Sequence, residues 1–312
     1  MRSLACSALV ALLAWMPVHE PDGHWSTAKP LPEPLQEIHA AAINGKIYVA
    51  GGIDRDDKPT AHAYCYDPAT DSWTRIADLP APRHHMLIVA LHDTLYALGG
   101  FSGTTFHAER AVWAYVPALN TWLTRAELPA PRGAAAAAVV NGKIVVVGGL
   151  SRIADGGMAF QTVIYDPAFN AWLQVSPIPT MRDHLTAETV QDTLYAIGGR
   201  YLSPERNFAT VEDYDIRRDR WYSKSPMPVK LGALGSAVLD GKIHVFGGED
   251  RSSTFTAHEV YDPATDTWTD APPLPTARHG AAVAVADGKI YVIGGGPRPG
   301  FTQTDVVEVY TP

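Results

Sequence analysis

Residues 141–149 read Asn-Gly-Lys-Ile-Val-Val-Val-Gly-Gly, and variants of this stretch recur six times along the chain. Successive glycine pairs stand 48, 49, 50, 49 and 47 residues apart. The pairs are Gly51-Gly52, Gly99-Gly100, Gly148-Gly149, Gly198-Gly199, Gly247-Gly248 and Gly294-Gly295. A repeat of this length with strand-like sequence inside it is typical of propellers and solenoids. One structural unit, repeated six times, therefore accounts for most of the chain.

Each copy of the stretch predicts the second half of a β-hairpin. Residues 143–147 are mostly β-branched, as is usual for a buried strand. Asn141-Gly142 supplies the positive φ angles of a tight turn, so residues 133–140 are predicted to form the antiparallel partner. That partner is rich in small residues, which suits an innermost strand where repeated units converge on an axis.

A tyrosine and a tryptophan seven residues later mark two further strands in each unit. The pairs are Tyr66/Trp73, Tyr115/Trp122, Tyr165/Trp172, Tyr214/Trp221 and Tyr261/Trp268. A turn such as Asp67-Pro68 separates the two members of a pair. Four strands per unit predict a propeller blade, with the tryptophans buried between blades.

The sixth unit is incomplete at the C-terminal end, since only Thr311 and Pro312 follow Tyr310. Trp25 lies 48 residues before Trp73 and has no tyrosine seven residues before it. The N-terminal segment is therefore expected to supply the outer strand of the last blade, which removes an open strand edge. The predicted fold is an all-β, six-bladed β-propeller of four-stranded antiparallel blades, with the ring closed by an N-terminal strand.

The glycine pair, the tyrosine and the spaced tryptophan resemble kelch repeats from about Trp25 to Tyr310. The resemblance implies a single kelch propeller domain over residues 20–312. It implies less about function, because kelch propellers include peptide-binding modules, an oxidase and a sialic-acid mutarotase. The oxidase has seven blades and a copper centre with a tyrosine–cysteine crosslink, for which this sequence offers no basis.

The composition narrows the classes of partner. The 312 residues carry a formal net charge of −8 and no run of Lys or Arg, which argues against a nucleic-acid partner. The sequence after the first 19 residues contains no apolar segment of membrane-spanning length. The two cysteines, Cys6 and Cys65, have neither the spacing of a metal site nor that of a disulfide framework. We therefore predict a monomer with no metal site and no cofactor.

Residues 1–19 resemble a signal peptide, because Arg2 is followed by an apolar stretch from Leu4 to Val18. The alternative is a disordered N-terminal tail. The first interpretation predicts export to the periplasm or the extracellular space, and the second a cytoplasmic protein.

Arginine recurs at one repeat position, sixteen residues before the glycine pair. The six residues there are Leu35, Arg83, Arg132, Arg182, Leu231 and Arg278. Propeller symmetry would bring the four arginines into one ring, so we predict a basic rim that binds carboxylates. The alternative is that these arginines hold neighbouring blades together through backbone carbonyls.

Two residues further along, the repeat position is irregular and carries ionisable side chains. The six residues are Glu37, His85, Ala134, His184, Ala233 and Gly280. Glu37, His85 and His184 are candidate ligand-binding residues at the channel mouth. Glu188, which replaces the small apolar residues of the other inner strands, is a weak catalytic candidate together with His85 and His184. A structural role for each is the alternative.

The loops that join the second and third strands of each blade vary in length, and variable loops on a rigid scaffold commonly carry function. They combine arginines with aromatic side chains, a composition favoured at binding surfaces. These residues are Arg55, Arg152, Arg200, Arg206, Arg251, Arg298, Phe101, Phe106, Phe160, Tyr201, Phe208, Phe255 and Phe301.

Two functions remain open from the sequence. The first is a binding module whose variable-loop face recognises an acidic peptide or protein, or an anionic carbohydrate. The second is an exported sugar-modifying enzyme similar to the sialic-acid mutarotase, an isomerase acting on an anionic sugar. The first interpretation is favoured, because the catalytic residues of the mutarotase are not matched one by one in this chain.

Overall fold

A computed structural model describes residues 23–152 and 157–312. In this part of the chain six four-stranded antiparallel sheets form the blades of a β-propeller, as predicted. The inner strands of successive blades pack against one another, and those of the last and first blades are also in contact, so the ring closes. Residues 1–19, for which a signal peptide was predicted, lie outside the described residues.

The strands of each blade are lettered A to D from the axis outwards. The A strands are His39–Ile43, Leu87–Leu91, Ala136–Val140, Thr186–Val190, Gly235–Leu239 and Ala282–Ala286. The B strands are Lys46–Ala50, Thr94–Leu98, Lys143–Val147, Thr193–Ile197, Lys242–Phe246 and Lys289–Ile293. The C strands are Ala63–Asp67, Val112–Val116, Thr162–Asp166, Val211–Asp215, His258–Asp262 and Val307–Thr311. The D strands of blades 1 to 6 are Ser72–Arg75, Thr121–Thr124, Ala171–Val175, Arg220–Ser223, Thr267–Asp270 and His24–Thr27.

The loops between strands B and C carry three short hairpins. They pair Phe101–Ser102 with His107–Ala108, Leu150–Arg152 with Gly157–Met158, and Arg200–Tyr201 with Ser203–Asn207. A single 3₁₀ turn, Pro117–Leu119, lies between strands C and D of blade 2. No helix within residues 23–152 and 157–312 is long and apolar enough to cross a membrane.

The N-terminal strand closes the ring as the sequence predicts. His24–Thr27 pairs antiparallel with Val307–Thr311, and Trp25 lies opposite Tyr310. The indole N–H of Trp25 donates to the carbonyl of Pro272 in blade 5 at 2.9 Å. The first described strand therefore links the start of the chain to its last two blades.

The tyrosine–tryptophan pairs join neighbouring blades through polar contacts. The Tyr115 hydroxyl donates to Asn120 Oδ1 at 2.8 Å, and the same oxygen accepts the N–H of Ala77 in blade 1. The Trp122 indole N–H donates to the carbonyl of Ala77. The tyrosines are buried, and the tryptophans are half-buried at the rim, where each contacts the neighbouring blade.

The second glycine of each pair forms a backbone hydrogen bond with the next blade. Its N–H donates to the carbonyl of the residue at the recurrent arginine position, as from Gly149 to Arg182 at 2.9 Å. Gly148, the first of that pair, has a φ of +63°, and a Cβ there would lie 2.5 Å from the same carbonyl oxygen. Glycine is therefore required where each blade meets the next.

A ring of backbone hydrogen bonds surrounds the axis at the mouth of the channel. Its members are Glu37, His85, Ala134, His184, Ala233 and Gly280, all with positive φ. The N–H of every member except Glu37 donates to the carbonyl of the preceding member, for example from His184 to Ala134 at 2.8 Å. In blade 1 the N–H of Ile38 takes this place and donates to the carbonyl of Gly280. This ring places the side chains of residues distant in sequence around one axis.

Candidate ligand site at the channel mouth

A cavity of about 360 Å³ opens at the channel mouth, between the B–C loops. Residues from all six blades contribute to its wall. The lining residues are Gln36, Glu37, Ile53, His85, Phe106, Leu150, Asp183, His184, Arg200, Leu202, Glu249, His279, Gly300 and Phe301. Apolar and aromatic walls with a few converging polar groups are typical of a small-molecule site.

Arg200 is the cationic side chain in this lining, and neighbours hold it in place. Its Nη1 donates to Glu249 Oε1 at 2.7 Å and its Nη2 donates to His184 Nε2 at 2.9 Å. Its Nε lies 3.4 Å from Asp183 Oδ1. The Nδ1–H of His184 donates to Asp183 at 2.5 Å, which leaves the Nε2 lone pair for Arg200.

Glu37 and His85 meet on the floor of the cavity. Glu37 Oε2 lies 3.1 Å from His85 Nε2, and Glu37 Oε1 lies 3.6 Å from His279 Nε2. His84 lies behind His85, with their Nδ1 atoms 2.6 Å apart and with His84 Nε2 3.3 Å from the carbonyl of Gly103. When His84 Nε2–H donates to Gly103, its Nδ1 accepts from His85, and the His85 Nε2 lone pair faces Glu37.

Burial dominates the electrostatics of these groups. It raises the pKa of Glu37 to about 8, and the neighbouring carboxylate of Glu249 acts in the same direction. Burial lowers the pKa of His184, and the positive charge of Arg200 lowers it further. Burial also lowers the pKa of His85 well below its usual range. The imidazoles are therefore neutral near pH 7.

Three of the predicted site residues are brought together. Ligand atoms of Glu37, His85 and His184 all lie within 4.8 Å of one another, although the residues come from blades 1, 2 and 4. A carboxylate and two imidazoles form a donor set that can hold a divalent metal ion. The other three members of the axial ring are alanine or glycine and leave space on the axis.

The exposed basic rim predicted for Arg83, Arg132, Arg182 and Arg278 is not formed. These side chains are 8%, 2%, 0% and 1% exposed, respectively. Arg182 donates to three carbonyls, of Thr180, Ala196 and Gly198, and to Glu212 on strand C of its own blade.

The other three arginines also turn into their blades. Arg278 binds Glu308 and the carbonyls of Gly294 and Val306. Arg132 donates to the carbonyl of Gln161, and Arg83 donates to that of Pro82 and lies over the ring of Trp113. The guanidiniums therefore bind backbone carbonyls, as the alternative expected, but within their own blade rather than between neighbouring blades.

Glu188 lies in the interior of the channel, below the cavity at its mouth. Its Oε1 accepts from the Ser236 hydroxyl at 2.7 Å, and Ser236 Oγ is 2.5 Å from Thr186 Oγ1. Burial raises the pKa of Glu188 to about 7. Glu188 does not line the cavity at the mouth, but a cavity of about 110 Å³ further along the channel is lined by Glu188 together with Glu37, His85 and His184.

The site residues Asp183 and Glu249 were not selected from the sequence, and Arg200 was named only as one of many variable-loop residues. Arg200 and Glu249 directly follow the glycine pairs of blades 4 and 5, where the other blades have Ile53, Phe101, Leu150 and Gly296. Two adjacent blades with charged residues at an otherwise uncharged repeat position would have been a usable signal. Asp183 stands between two residues that were selected, Arg182 and His184.

Comparisons with known proteins agree with this architecture. A family model described as "KLHDC2/KLHL20/DRC7 Kelch-repeats domain" matches residues 20–199, and a "Kelch motif" model matches residues 181–228 and 232–275. The solved structure named "Structure of YjhT" has a TM-score of 0.78 at 17% identity and covers 90% of this chain and 96% of its own. That likeness shows the fold alone.

The curated relatives match over shorter segments. "Kelch-like protein terF" of Aspergillus terreus is 35% identical over 26% of this chain and 19% of its own length. "Rab9 effector protein with kelch motifs" of Xenopus laevis is 40% identical over 22% of this chain and 20% of its own length. The chain thus spans about a fifth of the length of these relatives. Because a family model covers more than half of the chain, the protein belongs to the kelch-repeat family.

Proposed function

We propose that this protein is a binding module whose channel mouth takes a carboxylate group of an acidic peptide or of an anionic sugar. The observation that carries the proposal is the position of Arg200, whose guanidinium lines the cavity and is held at its edges by Glu249, His184 and Asp183. A guanidinium fixed in this way is pre-organised for a carboxylate, whose two oxygens match its planar donors.

The hydrogen-bonding capacity of Arg200 supports this role. A guanidinium has five N–H donors, and the hydrogen bonds to Glu249 and His184 use two of them. Phe106 and Phe301 lie above it on the cavity wall, with ring centroids 6.2 Å apart. They offer an apolar surface to the remainder of a ligand.

A second opening on the same face supports a peptide as the partner. A groove of about 890 Å³ runs between the B–C loops of blades 4 and 5 and begins at Tyr201, next to Arg200. Its lining includes the cations Arg206, Lys230 and Arg251, the carboxylates of Glu205 and Asp250, and the aromatic rings of Phe208 and Phe255. Because Glu205 pairs with Arg251, an acidic peptide with one carboxylate at Arg200 would continue mainly towards Arg206 and Lys230.

The test is calorimetric titration with N-acetylneuraminic acid, its methyl ester and a short glutamate-rich peptide. Arg200→Lys is expected to weaken binding of the acid and the peptide by roughly 10- to 100-fold, because lysine cannot reproduce the planar fork. Arg217→Lys, at an exposed arginine of the opposite face that pairs with Asp192 at 2.8 Å, is the matched control and should change little. Equal affinity for the acid and its ester would contradict carboxylate recognition.

An isomerase acting on an anionic sugar is the second candidate. The observation that favours it is the pairing of Glu249 Oε2 with His279 Nε2, 3.7 Å apart on the cavity wall, where sugar hydroxyls would reach a proton acceptor. NMR exchange rates between the anomers of N-acetylneuraminic acid test it. Acceleration by the wild type that Glu249→Gln reduces by about 100-fold or more would support the enzyme. Binding without acceleration would leave the binding module.

A further inference from the structure

We infer that Glu37, His85 and His184 form a binding site for a divalent transition-metal ion such as Zn²⁺ on the propeller axis. Their ligand atoms lie within 4.8 Å of one another, and Glu37 Oε2 is 3.1 Å from His85 Nε2. The three side chains are 12%, 5% and 8% exposed, so they form a buried group rather than a surface cluster. No metal site was predicted from the sequence, because the ligands come from three blades and have no local spacing motif.

In both imidazoles the ring nitrogen that faces away from the axis is hydrogen-bonded, as is usual for metal-ligating histidines. His184 donates its Nδ1–H to Asp183, which directs Nε2 towards the axis. His85 is held through its Nδ1 by His84, which in turn bonds to the carbonyl of Gly103. The result is two imidazole lone pairs and one carboxylate that face a common point, where a cation is needed between them.

Arg200 competes for one of the three ligands. Its Nη2 lies 2.9 Å from His184 Nε2, so a metal ion and this N–H cannot share the lone pair. The guanidinium retains Glu249 and Asp183 as partners when the His184 contact is released. Metal binding therefore exchanges one hydrogen bond of Arg200 for a coordination bond of His184.

This inference is independent of the ligand proposed above, because it is tested with the metal alone. The full-length protein is dialysed against a chelator and titrated with ZnCl₂ by calorimetry, and with CoCl₂ by visible absorption. The expected result is one equivalent of Zn²⁺ and Co²⁺ bands typical of nitrogen and oxygen ligands. Glu37→Gln, His85→Ala and His184→Ala should each weaken binding by about 100-fold or more, and Asp183→Asn by about 10- to 100-fold.

His62→Ala is the matched control, because His62 pairs with Glu33 at 2.6 Å in a half-exposed position of blade 1, away from the axis. It should bind as the wild type does. Arg200→Gln should bind Zn²⁺ more tightly, since the competing N–H is removed. Glu37→Gln nearly preserves shape, and circular dichroism shows whether each variant is folded.

Three results would overturn the inference. One is the absence of stoichiometric Zn²⁺ binding by the wild type, which would mean that a proton alone lies between Glu37 and His85. Another is unchanged affinity in the folded Glu37→Gln variant. The third is weaker binding in Arg200→Gln, which would remove His184 from the ligand set.

Discussion

Replacing Arg182 by methionine is expected to destabilise the propeller without affecting ligand binding. Arg182 is fully buried, and its guanidinium makes four hydrogen bonds, to the carbonyls of Thr180, Ala196 and Gly198 and to Glu212. Methionine fills much of the same space but offers no donor. The substitution therefore leaves a buried carboxylate and three carbonyls without this partner.

The magnitude follows from the burial of both partners. The side chains of Arg182 and Glu212 are 0% and 5% exposed, and removing one member of such a pair typically costs about 3–5 kcal/mol. Replacing both at once, in Arg182→Met with Glu212→Met, should cost less than the single change, because no charge is then left buried. Arg278 and Glu308 repeat the arrangement in blade 6, so Arg278→Met should behave alike.

Urea denaturation and calorimetric titration of the same samples separate stability from affinity. Arg206→Met, at an exposed arginine on the variable-loop face, is the control and should lose under about 0.5 kcal/mol. A loss of less than about 1 kcal/mol for Arg182→Met, accompanied by weaker ligand binding, would refute the structural role and restore the arginine rim as the binding site.

Three further changes test other parts of the structure. Deleting residues 1–32 removes the closing strand, so it should lower the melting temperature and promote association. Deleting residues 1–18 should do neither. Equal melting temperatures for the two truncated proteins would contradict the closing role of the strand. Burial lowers the pKa of His244 and of His258 to about 4, so the free energy of unfolding should fall as the pH drops from about 6.5 towards 4, by about 2 kcal/mol at pH 5 for each histidine. An equally steep decline in the double variant His244→Phe/His258→Phe would argue against these histidines as the cause. Burial raises the pKa of Glu188 to about 7, so the wild type should lose stability relative to Glu188→Gln as the pH rises from about 4.5 to 7. Parallel pH profiles of stability for the two proteins would contradict the burial of an ionisable carboxyl.

The blades could be predicted because their determinants are local. Asn141-Gly142 specifies a turn, residues 143–147 specify a strand, and the repeat carries the pattern around the ring. Ring closure followed from Trp25, whose partner tyrosine was found at the other end of the chain. Such features need only short-range geometry and periodicity.

The direction of a side chain could not be predicted in the same way. The alignment placed Arg182 at the entrance to an inner strand, but Glu212, thirty residues later, determines that the guanidinium turns into the blade. Blade 5 shows the reciprocal case, in which Leu231 replaces arginine and burial raises the pKa of Glu259, at the Glu212 position, to about 7. These pairings depend on contacts between strands that are distant in sequence.

The candidate site was predicted in part. Glu37, His85 and His184 were selected because their repeat position is irregular, and the axial ring of backbone hydrogen bonds does bring them together. Arg200 was named only among the variable-loop residues and Glu249 was not selected, because the position directly after the glycine pair was not compared between blades. Their contact across two blades appears only when the ring is closed.

The most direct measurement is a crystal structure of the protein soaked with N-acetylneuraminic acid. We expect electron density for the sugar in the cavity lined by Phe106 and Phe301, with its carboxylate within hydrogen-bonding distance of the Arg200 guanidinium. Density for the ligand elsewhere on the molecule, or a carboxylate bound at Arg83, Arg132, Arg182 or Arg278, would contradict it.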